Sequence, residues 1–202
     1  VPSLRDGTLD VDAFKAALND SVAGVMLTCP NTHGLFEPAV AEISAMAHEV
    51  DALMYYDGAN LNAIVGRCRP GDLGFDVMHY NLHKTFATPH GMGGPGSGPV
   101  GVAPSLEPFL PGPRIQATPD GYALAWPDHS IGKIASYFGN FMIALRAYAY
   151  ILHLGAEGLR DVSAKAVLNA NYVHARLKDV YRSAFEGPFM HECVFTATSF
   201  SD

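Results

Sequence analysis

The sequence has little of several features that define common classes of protein. It carries 13 lysine and arginine residues against 20 aspartate and glutamate residues, a net charge of -7, so no basic surface for a nucleic-acid backbone is predicted. Its three cysteines, Cys29, Cys68 and Cys193, lie far apart and form no C-x-x-C pair, which argues against a disulfide framework or a zinc site. A reducing compartment and no nucleic-acid partner are therefore expected.

The sequence also lacks the patterns of a membrane span and of a signal peptide. Its longest apolar run, from Ile134 to Leu154, contains Asn140 and Arg146, and both side chains are costly at bilayer depth. We interpret this run as a buried helix and expect no membrane association. Residues 1–6 lack the basic-then-apolar pattern of a signal peptide. The chain opens in polar turn residues and closes in the strand-like run 191–197, so we expect a fragment of a longer protein.

The first half of the chain alternates short apolar runs with amphipathic segments. This alternation is typical of α/β proteins, in which helices flank a mainly parallel sheet. The first apolar run, residues 22–28, is predicted to form a strand buried on both faces. The predicted strands are 22–28, 52–56 and 75–81, and the predicted helices are 11–18 and 38–50.

The second half has a different character. A short returning strand is predicted at 100–102, and recurring prolines predict an irregular surface connection over 104–119. Large apolar residues at helical spacing then predict two long helices, the second over 157–181. We divide the chain into part of a large domain, residues 1–150, and a connecting helix with the start of a small domain, residues 151–202.

Polar residues follow each of the three predicted strands. In open parallel α/β sheets, ligands bind beyond the carboxyl ends of the strands, so these segments are the candidate site. They are Thr28-Cys29-Pro30-Asn31-Thr32, Asp57-Gly58-Ala59-Asn60 and Asn81-Leu82-His83-Lys84-Thr85.

These segments contain the residue types that pyridoxal phosphate chemistry requires: a lysine amine, a carboxylate for the pyridine nitrogen and a small residue under the ring. Lys84, Asp57 and Ala59 are the candidates. By itself Asp57 is better explained as a cap of the helix or turn at Asn60, and Lys84 as an ordinary solvated lysine. The apolar and hydroxyl neighbours of Lys84 favour instead a buried amine with a lowered pKa, as Schiff-base formation requires.

Two other ligand classes are disfavoured. The glycine-rich segment 91–98 lacks the G-x-x-x-x-G-K-[ST] pattern of a nucleotide-binding loop, and Lys84 precedes the glycines. His79 and His83 have the spacing of helical metal ligands. In the predicted strand they would lie about 13 Å apart, at ~3.3 Å per residue, so no metal site is expected.

The pattern as a whole resembles the glycine-cleavage P-protein family, the decarboxylating glycine dehydrogenases. The resemblance covers essentially the whole chain and corresponds to part of the family's C-terminal half or second subunit. It rests on Thr32 to Glu37, on Tyr55-Tyr56-Asp57-Gly58-Ala59-Asn60-Leu61-Asn62-Ala63, on Asn81-Leu82-His83-Lys84-Thr85-Phe86, on Pro89-His90-Gly91 and on Gly94-Pro95-Gly96-Ser97-Gly98-Pro99-Val100-Gly101.

The resemblance implies an aspartate-aminotransferase-like fold, fold type I, that binds pyridoxal phosphate. It implies that Lys84 forms the Schiff base and that Asp57 pairs with the pyridine nitrogen. The expected reaction is decarboxylation of glycine, with transfer of the aminomethyl group to the lipoyl arm of H-protein. The partners expected are a second copy or a second P-protein subunit, in the bacterial cytoplasm or the mitochondrial matrix. The remaining candidate site residues are Thr28, Ala59, Asn60, His83 and His90.

The sequence departs from the family at two places. Cys29-Pro30-Asn31-Thr32-His33-Gly34 stands where the family usually has N-P-N-T-L-G, and Met92 interrupts a glycine run. We expect the family's phosphate cradle and ring-stacking side chain upstream of Val1, and part of the small domain beyond Asp202. The alternatives are an aminotransferase or desulfurase on the same scaffold, or a subunit that has kept the fold and lost the chemistry.

Overall fold

The structure is a computed structural model, which describes residues 1–91 and 94–196. Within these ranges it forms a four-stranded sheet in the order β1-β2-β3-β4 and a separate two-stranded hairpin. The first three strands are parallel and β4 is antiparallel to β3. The strands are β1 Gly24–Thr28, β2 Leu53–Gly58, β3 Val77–Tyr80 and β4 Val100–Val102, with β5 Arg114–Thr118 and β6 Gly121–Ala125 in the hairpin.

The helices agree closely with the sequence pattern in the first half. The α-helices are α1 Val11–Ala17, α2 Val40–Glu49, α3 Leu82–Thr85 and α4 Phe141–Leu177, and 3₁₀ helices span Pro70–Leu73 and Pro104–Phe109. Helix α1 begins at Asp10, whose carboxylate accepts a hydrogen bond from the N–H of Ala13 at 2.9 Å, which is the usual N-cap arrangement. The mainly parallel α/β architecture predicted from the sequence is confirmed.

The main core lies between one face of the sheet and the helices. Met54 and Tyr56 of β2 are completely buried there, beside Ile43 of α2. The ring of Tyr56 meets that of Phe75 edge-on, with centroids 4.9 Å apart, and its hydroxyl donates a hydrogen bond to the carbonyl of Cys29. This contact ties the loop after β1 to the centre of the core.

The prediction that the first strand is buried on both faces is wrong. Strand β1 is an edge strand, and Met26 is 63% exposed because no layer covers the second face of the sheet within the described residues. Leu53 and Val100 are also exposed. The alternation of exposed and inward side chains along β1 and β2 therefore marks two faces, one packed against α2 and one open.

Two predictions for the second half also need correction. The connection predicted over 104–119 contains strand β5, which pairs with β6 through the turn at Pro119 and Asp120. The apolar run from Ile134 becomes helical only at Phe141, and it is buried along one side only, through Ile143 and Ala147. The opposite side of α4 is exposed because no described element packs against it.

Helix α4 consists of two helical segments separated by a break. At Gly155 the backbone has a φ of 63° and a ψ of -173°, which is not helical; glycine adopts this conformation without the strain that a Cβ would add. The prediction of two successive helices in this region agrees with that break. None of the helices in the described ranges combines the length and the apolar character that crossing a bilayer requires.

Candidate active site

The parallel register brings three polar side chains into one row at the carboxyl edge of the sheet. Thr28 of β1 lies opposite Asp57 of β2, which lies opposite His79 of β3. Side chains at paired positions lie on the same face of a sheet, and here that face is the open one. The site is therefore positioned by strand register rather than by any local sequence motif.

Asp57 accepts two hydrogen bonds from two chain segments, and a histidine of a third segment lies close to it. Its Oδ2 accepts a hydrogen bond from the Thr28 hydroxyl at 3.1 Å, and its Oδ1 accepts one from the N–H of Ala59 at 3.1 Å. The Nε2 of His79 lies 3.4 Å from the same Oδ1. The side chain of Asp57 remains 24% exposed, so the carboxylate is fixed in place and still open to a ligand.

Lys84 lies on α3, a single helical turn that follows β3 directly. Its carbonyl accepts a hydrogen bond from the Asn62 side chain at 3.0 Å. The neighbouring Thr85 is buried; its hydroxyl donates to the Oδ1 of Asn62 at 2.9 Å and accepts the N–H of Leu61 at 3.1 Å. These contacts fix the lysine-bearing turn to the loop that follows Asp57.

The expectation of a buried Lys84 amine is wrong for the described structure. Leu82, Thr85 and Phe86 form the buried side of α3, and Lys84 falls on the exposed side. Within the described residues its amine has neither a hydrogen-bond nor an ion-pair partner. The amine is therefore available to a ligand at the same edge of the sheet as Asp57.

His83 and His90 are in mutual contact beside Lys84. Their rings meet edge-on with centroids 4.5 Å apart. Desolvation lowers the pKa of His83, and the nearby charges of His90 and Lys84 lower it further. Its Nδ1 is shielded from solvent and has no hydrogen-bond partner in the described structure. A buried polar atom without a partner is uncommon, and here it is available for a ligand near the lysine.

The last candidate predicted from sequence, Asn60, lies half-buried in the loop after β2. Its side chain makes no hydrogen bond to any described residue, whereas Asn62, two residues further on, makes two. Of the two family departures, Met92 lies outside the described residues. Cys29 is 1% exposed, and burial raises the pKa of its thiol to about 11, so it stays neutral and packs as a small apolar side chain.

Three neighbours of the site were not predicted as site residues from the sequence: His79, Tyr55 and His191. His79 contacts Asp57, and its Nδ1 lies 2.8 Å from the hydroxyl of Tyr55. The signal was present, since Asp57 and His79 each precede the last residue of their strand. His191 lies near Lys84, whose charge reinforces the lowering of the pKa of His191 by burial, while the carboxylate of Glu192 opposes it.

The segment that carries His191 packs on the loop after β1. The N–H of Met190 donates to the carbonyl of Gly34 at 2.7 Å, and a Cβ added to Gly34 would lie 1.8 Å from the carbonyl oxygen of Glu192. The ring of His191 is almost fully buried; its Nε2 lies 3.0 Å from Oε1 of Glu192 without the alignment of a hydrogen bond. Residues from both ends of the chain thus meet at this edge of the sheet.

The family model for class-V aminotransferases matches residues 1–126, which include the sheet, Asp57 and Lys84. The chain belongs to the class-V aminotransferase family. Solved structures with the same fold include an apo cysteine desulfurase from Thermococcus onnurineus, with a TM-score of 0.61 at 18% identity over 92% of this chain and 46% of that one. A sphingosine-1-phosphate lyase from Burkholderia pseudomallei gives a TM-score of 0.61 at 19% identity over 92% of this chain and 42% of that one.

Sequence relatives of this class-V aminotransferase chain are much closer. A protein of Fervidobacterium nodosum named probable glycine dehydrogenase (decarboxylating) subunit 2 is 54% identical over 97% of this chain and 41% of its own length. A protein of Thermotoga maritima with the same name is 53% identical over 96% of this chain and 41% of its own length. The chain therefore spans about two fifths of the length of the curated relatives it matches.

Class-V aminotransferases use pyridoxal phosphate, and the residues present fit that cofactor. The Oδ2 of Asp57 accepts one hydrogen bond, so it retains acceptor capacity for a protonated ring nitrogen. Lys84 supplies an accessible amine for the aldehyde carbon. The buried Nδ1 of His83 and the buried hydroxyl of Thr88, four residues after Lys84, both lack partners in the described structure and can bind polar groups of the ligand.

Proposed function

We propose that the protein containing this chain decarboxylates glycine with pyridoxal phosphate and transfers the aminomethyl group to the lipoyl arm of H-protein, releasing CO₂. The observation that carries the proposal is the placement of Asp57 and the Lys84-bearing turn at the carboxyl ends of adjacent parallel strands. The names of the relatives, at 53–54% identity over almost the whole chain, support glycine as the substrate.

Bound pyridoxal phosphate supplies an electron sink for the electron pair that remains when glycine loses its carboxylate. Lys84 would hold the cofactor through its amine. Asp57 keeps the proton on the ring nitrogen, since an ion pair with a fixed carboxylate favours the charged form of the ring. Thr28 and the N–H of Ala59 hold that carboxylate in place.

The other candidate residues have roles in orientation and proton transfer. Ala59 offers a small surface against which the cofactor ring can lie, and Asn60 lies beside it with its side-chain amide available. His83 and His90 position the substrate or carry protons; the lowered pKa of His83 keeps that ring neutral near pH 7, so it can accept one. A lipoyl arm would approach from the side of the glycine-rich segment.

The partners and organisation are part of the same proposal. A second P-protein subunit, or a second copy, completes the protein; the "subunit 2" in the relatives' names supports a second subunit. The prokaryotic origin of these relatives supports a cytoplasmic location. We place the boundary between the large and small domains near residue 150, a position supported by the break in α4 at Gly155.

The test is to reconstitute the full-length protein with pyridoxal phosphate, reduce it with borohydride and locate the label by peptide mass spectrometry. We expect the label on Lys84, and glycine-dependent exchange of labelled CO₂ in the presence of lipoylated H-protein. Lys84→Ala should lose both, whereas Lys165→Ala, which removes an exposed lysine paired with Asp161, should retain both.

Each alternative has its own result in this experiment. Amino transfer to an oxoacid, or sulfur release from cysteine, without CO₂ exchange would identify another reaction on the same scaffold. A complete protein that binds no pyridoxal phosphate would indicate a subunit without chemistry. A reducible label that remains in the Lys84→Ala variant would overturn the assignment of the lysine.

A further inference from the structure

A line of side chains leads from the sheet to the carboxylate of Asp57. The hydroxyl of Tyr55 lies 2.8 Å from Nδ1 of His79, and Nε2 of the same ring lies 3.4 Å from Oδ1 of Asp57. Tyr55 and Asp57 are on the same face of β2, two residues apart, and His79 is paired with Asp57 across the sheet. One imidazole therefore bridges two positions of the adjacent strand.

The order of donors along this line is fixed by the chemistry of the groups. A neutral imidazole carries one N–H and one lone pair. An ionised carboxylate can only accept, so the Nε2 that faces Asp57 carries the ring proton, and Nδ1 then accepts the O–H of Tyr55. The Tyr55 hydroxyl thus selects the tautomer of His79 that can donate to Asp57.

We infer that His79, oriented by Tyr55, is a positioning residue that holds Asp57 for the cofactor's ring nitrogen. The inference rests on the proposed function and extends it to residues behind the carboxylate. His79 and the N–H of Ala59 both lie against Oδ1, whereas among the described residues Oδ2 receives only the Thr28 hydroxyl. Donors concentrated on Oδ1 leave Oδ2 as the oxygen with acceptor capacity for the ring nitrogen.

A purely structural role for His79 is the competing explanation, and the chain contains a matched pair for comparison. His48 contacts Asp76 with an Nε2–Oδ2 distance of 2.8 Å, and the same carboxylate oxygen accepts the N–H of Met54 at 2.8 Å. This pair lies at the opposite edge of the sheet, where β3 begins. It combines the same two residue types as the His79–Asp57 pair, at a shorter distance, and lies away from Lys84.

The experiment uses the full-length protein reconstituted with pyridoxal phosphate labelled with ¹⁵N in the ring. The ¹⁵N chemical shift reports protonation of the ring nitrogen, and titration with the cofactor gives its dissociation constant. We expect His79→Phe to weaken cofactor binding about tenfold, because Asp57 loses the polar group that lies against its Oδ1, and to move the ¹⁵N shift toward the unprotonated form. His79→Gln, which can still donate to Asp57, should stay within about twofold of wild type.

The remaining variants separate the interpretations. Tyr55→Phe should change both quantities in the same direction as His79→Phe but less, because the imidazole remains. His48→Phe should leave both unchanged. If His79→Phe does not fold, Tyr55→Phe and His79→Gln carry the test.

Wild-type values in Tyr55→Phe and in every folded His79 variant would overturn the inference while leaving the proposed function intact. Equal changes in His48→Phe and His79→Phe would also overturn it, since they would indicate a general loss of sheet stability. A wild-type protein that carries no borohydride-reducible label on Lys84 would overturn the proposed function, and this inference with it.

Discussion

The hydroxyl of Thr85 donates a hydrogen bond to the Oδ1 of Asn62 at 2.9 Å, which joins the lysine-bearing turn to the loop after β2. The same hydroxyl accepts the N–H of Leu61, and the amide of Asn62 donates to the carbonyl of Lys84. Thr85 is 5% exposed, so its bond with the N–H of Leu61 is shielded from water. Together these hydrogen bonds fix Lys84 relative to Asp57 although the two residues lie on different strand ends.

Replacement of Thr85 tests this connection. Thr85→Val keeps the shape of the side chain and leaves the N–H of Leu61 without an acceptor, which costs roughly 1–3 kcal/mol. We expect a lower free energy of unfolding in urea and a faster loss of cofactor from Lys84. Thr85→Ser keeps the hydroxyl and should therefore release the cofactor more slowly than Thr85→Val. Equal cofactor release in both variants would contradict a role for the hydroxyl.

A second prediction concerns the contact between the loop after β1 and the C-terminal segment. Gly34 has a φ of +78°, and an added Cβ would overlap the carbonyl of Glu192, so Gly34→Ala must displace that segment. We expect a loss of more than about 3 kcal/mol in unfolding free energy, the level of the larger point-mutation effects. Gly132→Ala is the matched control, because its φ of +97° brings strain while its Cβ would meet no atom within 4 Å.

Gly132→Ala should lower the free energy of unfolding only by the strain of a Cβ at positive φ, of order 1–2 kcal/mol. Thermal unfolding of both variants measures the difference. A loss in Gly34→Ala no greater than in Gly132→Ala would mean that the 189–193 segment does not pack on this loop.

The pair of histidines beside Lys84 gives a pH-dependent prediction. Desolvation and the charges of His90 and Lys84 hold the pKa of His83 below 6.5. As the pH falls, His83 therefore binds a proton at a higher pH in the unfolded chain than in the folded chain. The stability contributed by its neutral form is present above about pH 6.5 and is lost as the pH falls toward the lowered pKa.

NMR titration of the histidine rings checks this directly. His90→Gln should raise the pKa of His83, because one of the charges that lowers it is removed. His129→Gln removes a histidine that stacks on Phe109 instead and should leave the titration of His83 unchanged. A pKa of His83 above 6.5 in the wild type would contradict the prediction.

A fourth prediction concerns the carboxylate itself. Asp57→Asn keeps the shape of the side chain and removes the charge that stabilises a protonated ring nitrogen, so we expect kcat for glycine to fall by about 10²-fold or more. Asp76→Asn removes the charge of a carboxylate that contacts His48 at the opposite edge of the sheet and should lower stability rather than kcat. Steady-state rates and urea unfolding of both variants make the comparison; similar kcat values for the two would contradict the role of Asp57.

Local sequence was enough to locate the elements that carry the site. Strands β1 to β3 and helices α1 and α2 begin and end within about two residues of the ranges predicted from apolar periodicity, because each is a short buried or amphipathic run bounded by turn residues. The β5–β6 hairpin was missed although Pro119, Asp120 and Gly121 are a turn signal. The prolines before it, at 104–113, masked the alternation of the strand.

Long-range contacts limited the prediction of the site. Asp57 and Lys84 each lie in a short local motif, so both could be identified from the sequence. The contact of His79 with Asp57 depends on the register between β2 and β3, and the approach of His191 depends on the path of the chain after α4. The exposure of Lys84 and of β1 depends on which layers cover the sheet, a property that no local pattern determines.

The meeting of Gly34 with Glu192 also determines when this edge of the sheet can form in the cell. About 160 residues separate the two in the chain, and a ribosome adds roughly 5–20 residues per second. The loop after β1 is therefore synthesised roughly 8–30 s before the segment that packs on it. Until then the 189–193 segment cannot pack against this loop. The nascent chain already carries Lys84, but its neighbour His191 has yet to be synthesised.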